Sequence, residues 1–515
     1  MNMPSEGTEP PLALKALLTL ATTAFGVQVL LNYMGGYGYF IDEWYYIACA
    51  NRLSFGYVDH PPLAPLLLKA SMLIGGTSLA SIRFLPALAG AATVLLTGLM
   101  ARELGGRTFA QCVAALSTLG APAVLVMCGF FSVNCFEIFF WVACTFVLLM
   151  ILKRGRSELW VAFGVLMGIG LENKHTIILL AFAVGLGLLL SPARREFTRK
   201  EFWFGAGAAL LILLPNIIWQ IRNGWPSLEF YANATIYKNI PTPPLKGLLN
   251  LIVLQNPATL PVWGFGLGFL LVGQAGRPFR SAGLMCAALL LAQLLSQSSR
   301  PDRISGIYPT LFAAGGVAFE RLWVTKKAMV LRGALLALLC AGTVALAPIA
   351  LPVLSPGSLA SYSQALGVVP RLEKGKTSPL PQWFADRFEW DNVVAAVKEA
   401  SDGLSPEERG RAAIFAPSYG HAGCLEFYGP GLGLPRVICN HNSYYLWCKG
   451  KANADVLIAM GWKPGDLRSV YARVDSVGLI RGKYAMSWRI NMPVYIARQP
   501  KIPMDSIWAR IKSYG

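Results

Sequence analysis

The sequence predicts an all-α polytopic membrane domain of about eleven transmembrane helices, followed by a small C-terminal α/β domain outside the membrane. Hydrophobic residues make up 55% of the 515 residues and charged residues only 14%. Apolar runs alternate with short charged clusters, and many reach the roughly 20 residues that a helix needs to cross a bilayer. Beyond about residue 371 the composition becomes that of a soluble protein.

Each uncharged run predicts one membrane helix, because no segment alternates with the period of two that a membrane strand requires. The runs are residues 16–41, 84–101, 108–136, 138–152, 159–171, 176–193, 202–221, 247–276, 281–299, 304–319 and 333–370. The first run is longer than the core of a signal peptide, so we expect an uncleaved first span.

Lysine and arginine gather in every second loop, beginning with Arg102 and Arg107 and ending with Arg321, Lys326, Lys327 and Arg332. Short basic loops stay in the cytoplasm, so we expect a cytoplasmic N-terminus and an extracytoplasmic tail. This pattern accounts for most of the net charge of +18 and leaves little reason to expect nucleic acid as a partner. The predicted domains are residues 1–350 in the membrane, with an outer loop at 35–83 carrying interfacial helices, and residues 351–515 outside.

The outer tail carries patterns of both strands and helices. RAAIFAP, PRVIC, ADVLIAM and MPVYIAR read as strands, and WDNVVAAVKEAS and HAGCLEFYG read as helices. A small doubly wound sheet is the predicted architecture. An oxidising compartment would allow one disulfide among three cysteines of the tail, namely Cys424, Cys439 and Cys448.

Acidic pairs occur twice in the first outer loop. Asp42 and Glu43 follow the first span and precede Trp44-Tyr45-Tyr46, at the depth of the headgroups, where carboxylates are costly unless they are used or paired. The alternative is a helix start with Asp42 as its cap. Asp59 and His60 precede Pro61-Pro62, which alone is more often a turn than a site.

Further outer turns carry cations and polar groups. Lys174 and His175 can face a lipid phosphate or merely anchor a helix end, and the same alternatives hold for Arg303 and Tyr308. Asn134 and Glu137 begin the fourth span, where a glutamate in an apolar stretch suggests a polar cavity.

These motifs, taken in order, resemble the bacterial glycosyltransferase family 39 proteins, GT-C fold enzymes related to protein O-mannosyltransferases and to lipid A aminoarabinose transferases. The likeness rests on FIDEWYY, DHPPLAPLL, SVNCFEIFFW, GLENKH, NGWPSLEF and ISGIYPTLFAAGG and spans roughly three fifths of the chain. Their order and membrane sidedness carry the resemblance, since no single motif is specific.

The resemblance implies an inverting hexosyl- or pentosyltransferase of the bacterial inner membrane. Its donor is a polyprenyl-phosphate sugar, its acceptor a lipid, glycan or protein at the outer face, and it needs no nucleotide. By the same resemblance Asp42, with Glu43 beside it, is the catalytic base, and Lys174, His175, Arg303 and Tyr308 bind the donor phosphate.

The resemblance also implies a divalent cation, held by Asp59, His60 or Glu229. Relatives differ in whether they need a metal. His60 stands where the aminoarabinose enzymes have lysine, and Asn134 stands where many relatives have aspartate. Glu137, one turn later, can supply that missing charge.

Two other classes of function remain open from the sequence. A flippase or transporter of lipid-linked sugars predicts charges near the bilayer midplane and broken helices in related halves, whereas the acids here cluster at one face. An inactive binding relative is the third reading, and Asn134 favours it.

Overall fold

The computed structural model describes residues 9–34, 36–322, 326–367, 373–375 and 377–515. Gly35, where the predicted outer loop begins, and Arg371, where the soluble composition begins, lie outside the described residues. The side chains of Lys326 and Lys327, two of the predicted cytoplasmic anchors, lie outside them as well.

The first two thirds of the described chain are almost entirely helical. The helices are α1 (Leu14–Met34), α2 (Ile41–Ala50), α3 (Leu63–Gly75), α4 (Leu79–Ile82), α5 (Phe84–Glu103), α6 (Thr108–Leu119), α7 (Pro122–Met127), α8 (Val133–Arg154), α9 (Leu159–Leu171), α10 (Ile178–Leu189), α11 (Lys200–Arg222), α12 (Pro226–Asn233), α13 (Pro244–Leu254), α14 (Leu260–Leu271), α15 (Arg280–Leu295), α16 (Tyr308–Leu322) and α17 (Lys326–Ala350).

Among the described residues, six helices are long and apolar enough to cross a membrane, or seven if the bent pair His175–Leu189 and Pro192–Thr198 counts as one span. Several predicted runs hold shorter helices because local breaks interrupt them. One break lies before Pro122, which begins α7, and another at Asn256, whose φ of 70° ends the helical path before Pro257. By length and composition, six or seven described helices are candidate spans, fewer than the about eleven that the sequence predicts.

Glycines allow two helix pairs to pack backbone against backbone. A Cβ atom on Gly164 of α9 would lie 1.9 Å from the carbonyl oxygen of Gly205 in α11. A Cβ atom on Gly315 of α16 would lie 1.9 Å from the carbonyl oxygen of Val262 in α14. Small residues at helix contacts are a common way of holding membrane helices together.

The helix ends that carry the basic clusters meet at one end of the bundle. Glu103, at the end of α5, forms ion pairs of 3.1 Å with Lys153 and 2.6 Å with Arg154 at the end of α8. Glu320 of α16 accepts a hydrogen bond from the backbone N–H of Arg107. The basic loops after α5, α8 and α16 therefore lie at one shared end of the bundle.

The final third of the chain forms a helix-and-sheet domain. Its helices are α18 (Pro356–Ala365), α19 (Gln382–Ala385), α20 (Trp390–Asp402), α21 (Pro406–Gly410), α22 (Tyr419–Leu432), α23 (Ser443–Cys448), α24 (Pro464–Val470) and α25 (Met504–Ile507). Its strands are β1 (Ala412–Phe415), β2 (Arg436–Ile438), β3 (Val456–Met460), β4 (Tyr471–Ile480) and β5 (Met492–Pro500).

The sheet has the order β2-β1-β3-β5-β4. Strands β2, β1 and β3 are parallel, whereas β5 and β4 are antiparallel to their neighbours, so the sheet is mixed and not the predicted doubly wound arrangement. The four predicted strands and two predicted helices are present. The sequence prediction missed β4, an edge strand whose charged and exposed residues, such as Arg473 and Asp475, hide its pattern. All ten cysteines are free thiols, so no disulfide joins Cys424, Cys439 and Cys448.

Candidate active site

The loops at the opposite end of the bundle from the basic clusters converge on the start of α8. The backbone N–H of Phe131 donates to Glu43 of the first loop at 2.8 Å, and the Asn173 side chain donates to the carbonyl of Val133 at 2.8 Å. The N–H of Leu63, at the start of α3, donates to the carbonyl of Glu172 at 2.9 Å. The first outer loop and the turn after α9 therefore share one face.

Glu43 is fully buried and paired. Its carboxylate oxygens each lie 2.7 Å from a nitrogen of Arg83, and one also accepts the N–H of Phe40 at the start of α2. Arg83 in turn donates to the side chain of Asn32 and the carbonyl of Gly38. Bidentate geometry of this kind fixes both partners, so Glu43 locks the loop to α5.

Asp42, its neighbour, has a different environment. Its Oδ1 accepts a hydrogen bond of 2.8 Å from the hydroxyl of Tyr419, at the first turn of α22 in the C-terminal domain. Burial and the nearby carboxylates of Asp386 and Asp59 raise the pKa of Asp42 to about 6, against the lowering effects of Tyr419 and Lys238. A carboxylate with a pKa in this range can exchange protons near neutral pH.

Asp59 and His60 lie beside the same helix. The hydroxyl of Tyr45 donates to Asp59 Oδ1 at 2.7 Å. His60 is buried among the rings of Tyr45, Tyr46 and Tyr57, with Nδ1 2.8 Å from the carbonyl oxygen of Pro61. Burial lowers the pKa of His60, so its ring is neutral at physiological pH.

Lys174 forms the centre of a polar cluster at the start of α8. Its Nζ lies 2.6 Å from Glu137 Oε2 and 2.7 Å from Asn134 Oδ1. The other oxygen of Glu137 accepts the hydroxyl of Thr176. Lys174 is therefore paired inside the protein and does not simply reach outward to anchor a helix end.

His175 lies next to this cluster. Its Nδ1 is 3.1 Å from the hydroxyl of Tyr231 in α12, and its Nε2 is 2.9 Å from Asn216 Oδ1 in α11. The side chain of Asn216 donates to the carbonyl of Phe55 in the first loop. His175 thus connects three segments that the sequence separates widely.

The turn before α16 supplies two arginines in contrasting states. Arg300 is paired with both oxygens of Asp302 at 3.0 Å. Burial alone would raise the pKa of Asp302, but the charge of Arg300 and its hydrogen bonds hold this pKa at about 2. The guanidinium of Arg303 forms no hydrogen bond or ion pair with any described residue. Burial and the charge of Arg300 lower the pKa of Arg303, while Glu137 and Tyr231 are among the groups that oppose this shift. Arg303 is accordingly a cation available for an anionic ligand.

Two candidates lie apart from these groups. Tyr308 is buried in α16 against Trp263 and Phe312, and its hydroxyl has no hydrogen-bond partner within the described chain. Glu229 forms a 2.7 Å ion pair with Lys512 of the C-terminal domain.

The tentative metal site of Asp59, His60 and Glu229 is not assembled. Among the described residues no three histidine, cysteine, aspartate or glutamate side chains meet in a way that could hold a metal ion. His60 has its Nδ1 next to the Pro61 carbonyl, and Glu229 is neutralised by Lys512. These three side chains therefore do not form a ligand set that fits a bound cation.

An apolar cavity of about 560 Å³ lies beside the Arg300–Asp302 turn. Its walls come from α7, α13 and α17 and from the segment before α20, and Lys246, Ser299 and Asp302 supply polar groups. The lining includes Pro122, Val126, Met127, Val253, Leu254, Leu346, Ile349 and Trp383. A long apolar chain with a charged end matches this distribution of surface.

Sequence reasoning missed three residues of this site. Tyr419 comes from a helix whose sequence shows only an ordinary start after Ser418, and Tyr231 from a segment chosen for Glu229 instead. Asp302 lies between Arg300 and Arg303 in the chain, and an acid between two arginines is the available signal.

Part of the sequence is similar to known glycosyltransferases. Residues 59–219 match the family model described as dolichyl-phosphate-mannose-protein mannosyltransferase. The lipid A galacturonosyltransferase RgtD of Rhizobium johnstonii is 26% identical over 209 residues, which are 40% of this chain and 43% of that protein. The aligned region thus spans less than half of this relative's length.

Solved structures match over most of the chain. ArnT from Cupriavidus metallidurans bound to undecaprenyl phosphate superposes with a TM-score of 0.62 at 15% identity, covering 94% of this chain and 98% of ArnT. The oligosaccharyltransferase AglB from Archaeoglobus fulgidus, in complex with an inhibitory peptide and a dolichol-phosphate, gives 0.50 at 13% identity, covering 87% and 69%. The resemblance to family 39 is confirmed, and the chain has the GT-C fold.

Proposed function

We propose that this chain is an inverting glycosyltransferase that moves a sugar from a polyprenyl-phosphate donor to a lipid, glycan or protein acceptor at the outer face of the bacterial inner membrane. The observation that carries the proposal is that Asp42 interacts electrostatically with Arg300, whose partner Asp302 interacts in turn with Lys174 and Arg303, at one end of the helical bundle. The matched relatives give independent support, since one acts on lipid A and two solved structures hold a polyprenyl phosphate.

The chemistry needs a base on one side of the anomeric carbon and cations on the other. Asp42 takes the proton from the acceptor hydroxyl while the acceptor oxygen bonds to the anomeric carbon. The bond from that carbon to the phosphate oxygen breaks, and its electron pair leaves with the polyprenyl phosphate. One displacement inverts the anomeric configuration. General-base help of this kind is typically worth about 10²–10⁴ in rate.

Arg303 and Lys174 are the groups that we assign to the leaving phosphate. Arg303 has no internal partner among the described residues, and Lys174 can exchange part of its pairing with Glu137 for a phosphate oxygen. Charge-assisted hydrogen bonds to a developing phosphate anion lower the barrier because they strengthen as the charge grows. His175 holds the position of this cluster through Tyr231 and Asn216.

The remaining predicted residues receive positioning roles or lose support. We assign Glu43 to the structure of the loop, because Arg83 and backbone N–H groups occupy both of its oxygens. We leave Tyr308 without a phosphate contact, because its buried hydroxyl forms no hydrogen bond with a described residue. The apolar cavity beside Asp302 suits the isoprenoid chain of the donor.

The membrane arrangement is part of the proposal. We assign about eleven membrane-crossing segments, counting shorter helices such as α6, α9 and α14 that follow the predicted apolar runs. The basic end of the bundle then faces the cytoplasm, and the Asp42 end and residues 351–515 lie outside.

The test is complementation of cells that lack the protein, followed by mass spectrometry of their envelope lipids and glycans. Wild-type protein should restore a glycosylated species that Asp42→Asn fails to restore. Asp391→Asn, which alters an exposed aspartate at the start of α20, is the matched control and should restore it. Purified Asp42→Asn should still bind undecaprenyl phosphate. Restoration by Asp42→Asn would remove this residue as the base and favour a flippase, and an unchanged envelope in the deletion strain would contradict the proposed transfer.

A further inference from the structure

The C-terminal domain contacts the acid-bearing helix α2 directly. Gly423 of α22 lies so close to it that a Cβ atom would be 2.4 Å from the carbonyl oxygen of Trp44. Arg52, just past the end of α2, forms a bidentate pair with Glu426 of α22 at 2.9 and 2.7 Å. Close backbone packing and a bidentate pair fix the relative position of the two helices.

A second set of bonds joins the domain to the loop behind Asp42. The Ser443 hydroxyl lies 2.7 Å from the hydroxyl of Tyr45 and accepts the N–H of Val58 at 3.0 Å. A phenol has one proton, and that of Tyr45 goes to Asp59, so Ser443 donates to Tyr45. The first outer loop is thus held by the domain at several points.

We propose that Tyr419 of the C-terminal domain is a positioning residue for the reaction, because its hydroxyl orients Asp42 and stabilises the ionised carboxylate that acts as base. The proposal rests on the proposed function, in which Asp42 takes the acceptor proton. It assigns the outer domain a part in the active site, beyond covering it.

The geometry around Tyr419 preorganises this contact. Ser418 caps α22 by accepting the N–H of His421, which sets the direction of the first turn. The Tyr419 ring stacks on His441 with centroids 4.8 Å apart, and it lies 4.7 Å from the ring of Tyr45. The ring is therefore held on two sides while its hydroxyl points at Asp42.

Several charged or ionisable groups surround the Asp42 carboxylate. Asp386 and Asp59 raise the pKa of Asp42, whereas Lys238 and the Tyr419 hydrogen bond lower it. The charge of Asp42 in turn raises the pKa of Arg300 and that of Tyr46. The phenol is one of three groups named here that favour the ionised base, together with Lys238 and Arg300. Its removal should therefore raise the pKa of Asp42 further.

The experiment measures the pH dependence of kcat/KM for sugar transfer by purified Tyr419→Phe, which keeps the stacked ring and loses only the hydroxyl. The acidic limb should move up by about 1–2 pH units, as expected for one lost hydrogen bond to a charged group. Rates should approach the wild-type value at high pH. Tyr445→Phe is the control, because the Tyr445 ring stacks on Trp508 while its hydroxyl makes no hydrogen bond to a described residue.

A second variant separates this role from a loss of folding. Replacing Tyr419 with 3,5-difluorotyrosine gives a more acidic phenol and a stronger donor, so the acidic limb should move to lower pH. Superposable pH profiles for wild type and both Tyr419 variants would overturn the proposal. A failure of the proposed function gives a different result: Asp42→Asn would then retain transfer, whichever residue stands at position 419.

Discussion

The Nζ atom of Lys174 lies 2.6 Å from Oε2 of Glu137, joining the turn after α9 to the first turn of α8. Asn134 shares the same ammonium group at 2.7 Å. Glu137 thus lies one turn beyond Asn134, and both side chains contact the same ammonium group. The pair holds a cation at the end of the bundle opposite the basic clusters.

Replacing Lys174 with methionine should weaken donor binding. A hydrogen bond to a charged group is worth about 1.5–3 kcal/mol, so the KM for the polyprenyl-phosphate donor should rise about 10- to 100-fold. Glu137→Gln is the matched variant, which frees the ammonium group and should not raise this KM. Equal donor KM values for wild type and Lys174→Met would contradict the assignment.

Arg303 should act mainly on the chemical step. Arg303→Gln removes a cation that has no partner among the described residues, so kcat should fall about 10²-fold or more while folding is preserved. Arg303→Lys should recover part of the rate, because it keeps the charge but not the planar donors. Arg156→Gln, at an exposed position of the basic end, provides the control. A normal kcat in Arg303→Gln would place the leaving phosphate elsewhere.

Transfer should depend on pH through Asp42. Burial and neighbouring carboxylates raise the pKa of Asp42 to about 6, and the base works only when it is ionised. The rate should therefore be low below about pH 5, increase through pH 6 and level off above pH 7. Initial rates in a series of buffers at constant ionic strength measure this profile, and a rate that falls over the same interval would contradict the role of Asp42.

The Glu43–Arg83 pair should be essential for stability. Removing one partner leaves a buried charge, which typically costs about 3–5 kcal/mol. Glu43→Gln or Arg83→Met should therefore lower the melting temperature of the detergent-solubilised protein markedly. The double variant should lose less than the sum of the two single losses. Additive losses would show that the two side chains do not act as a pair.

The two ends of α11 should be accessible from opposite sides of the membrane. Arg199 precedes this helix in a basic loop and Asn223 follows it in an outer loop. In intact spheroplasts a membrane-impermeant maleimide should label Asn223→Cys and spare Arg199→Cys, after subtraction of the wild-type background. Labelling of both or of the opposite site would reverse or abolish the proposed orientation.

Apolar runs and basic loops were sufficient to predict a helical membrane domain, because both patterns are local. The run at 247–276 was read as one helix, yet Asn256 and Pro257 divide it into α13 and α14. Strand β4 was missed because an exposed edge strand buries too few side chains to show a period.

The candidate site was partly predictable for the same reason. Asp42, Lys174 and Glu137 stand out as charges beside apolar spans, and the structure brings the last two into contact. Tyr419 lies 377 positions from Asp42 along the chain, and no local pattern announces a contact of that range. His60 and Glu229 looked like ligands, but tertiary neighbours satisfy them differently.

The bare contact between α9 and α11 has a consequence for how the protein is assembled in the bilayer. At Gly164 and Gly205 each added methyl group would strike backbone atoms, which cannot swing aside as a side chain can. The two helices can therefore pack this closely only where glycine leaves the backbone without a side chain. Any bulkier residue at either position would wedge them apart and open a crevice into which fatty acyl tails could intrude.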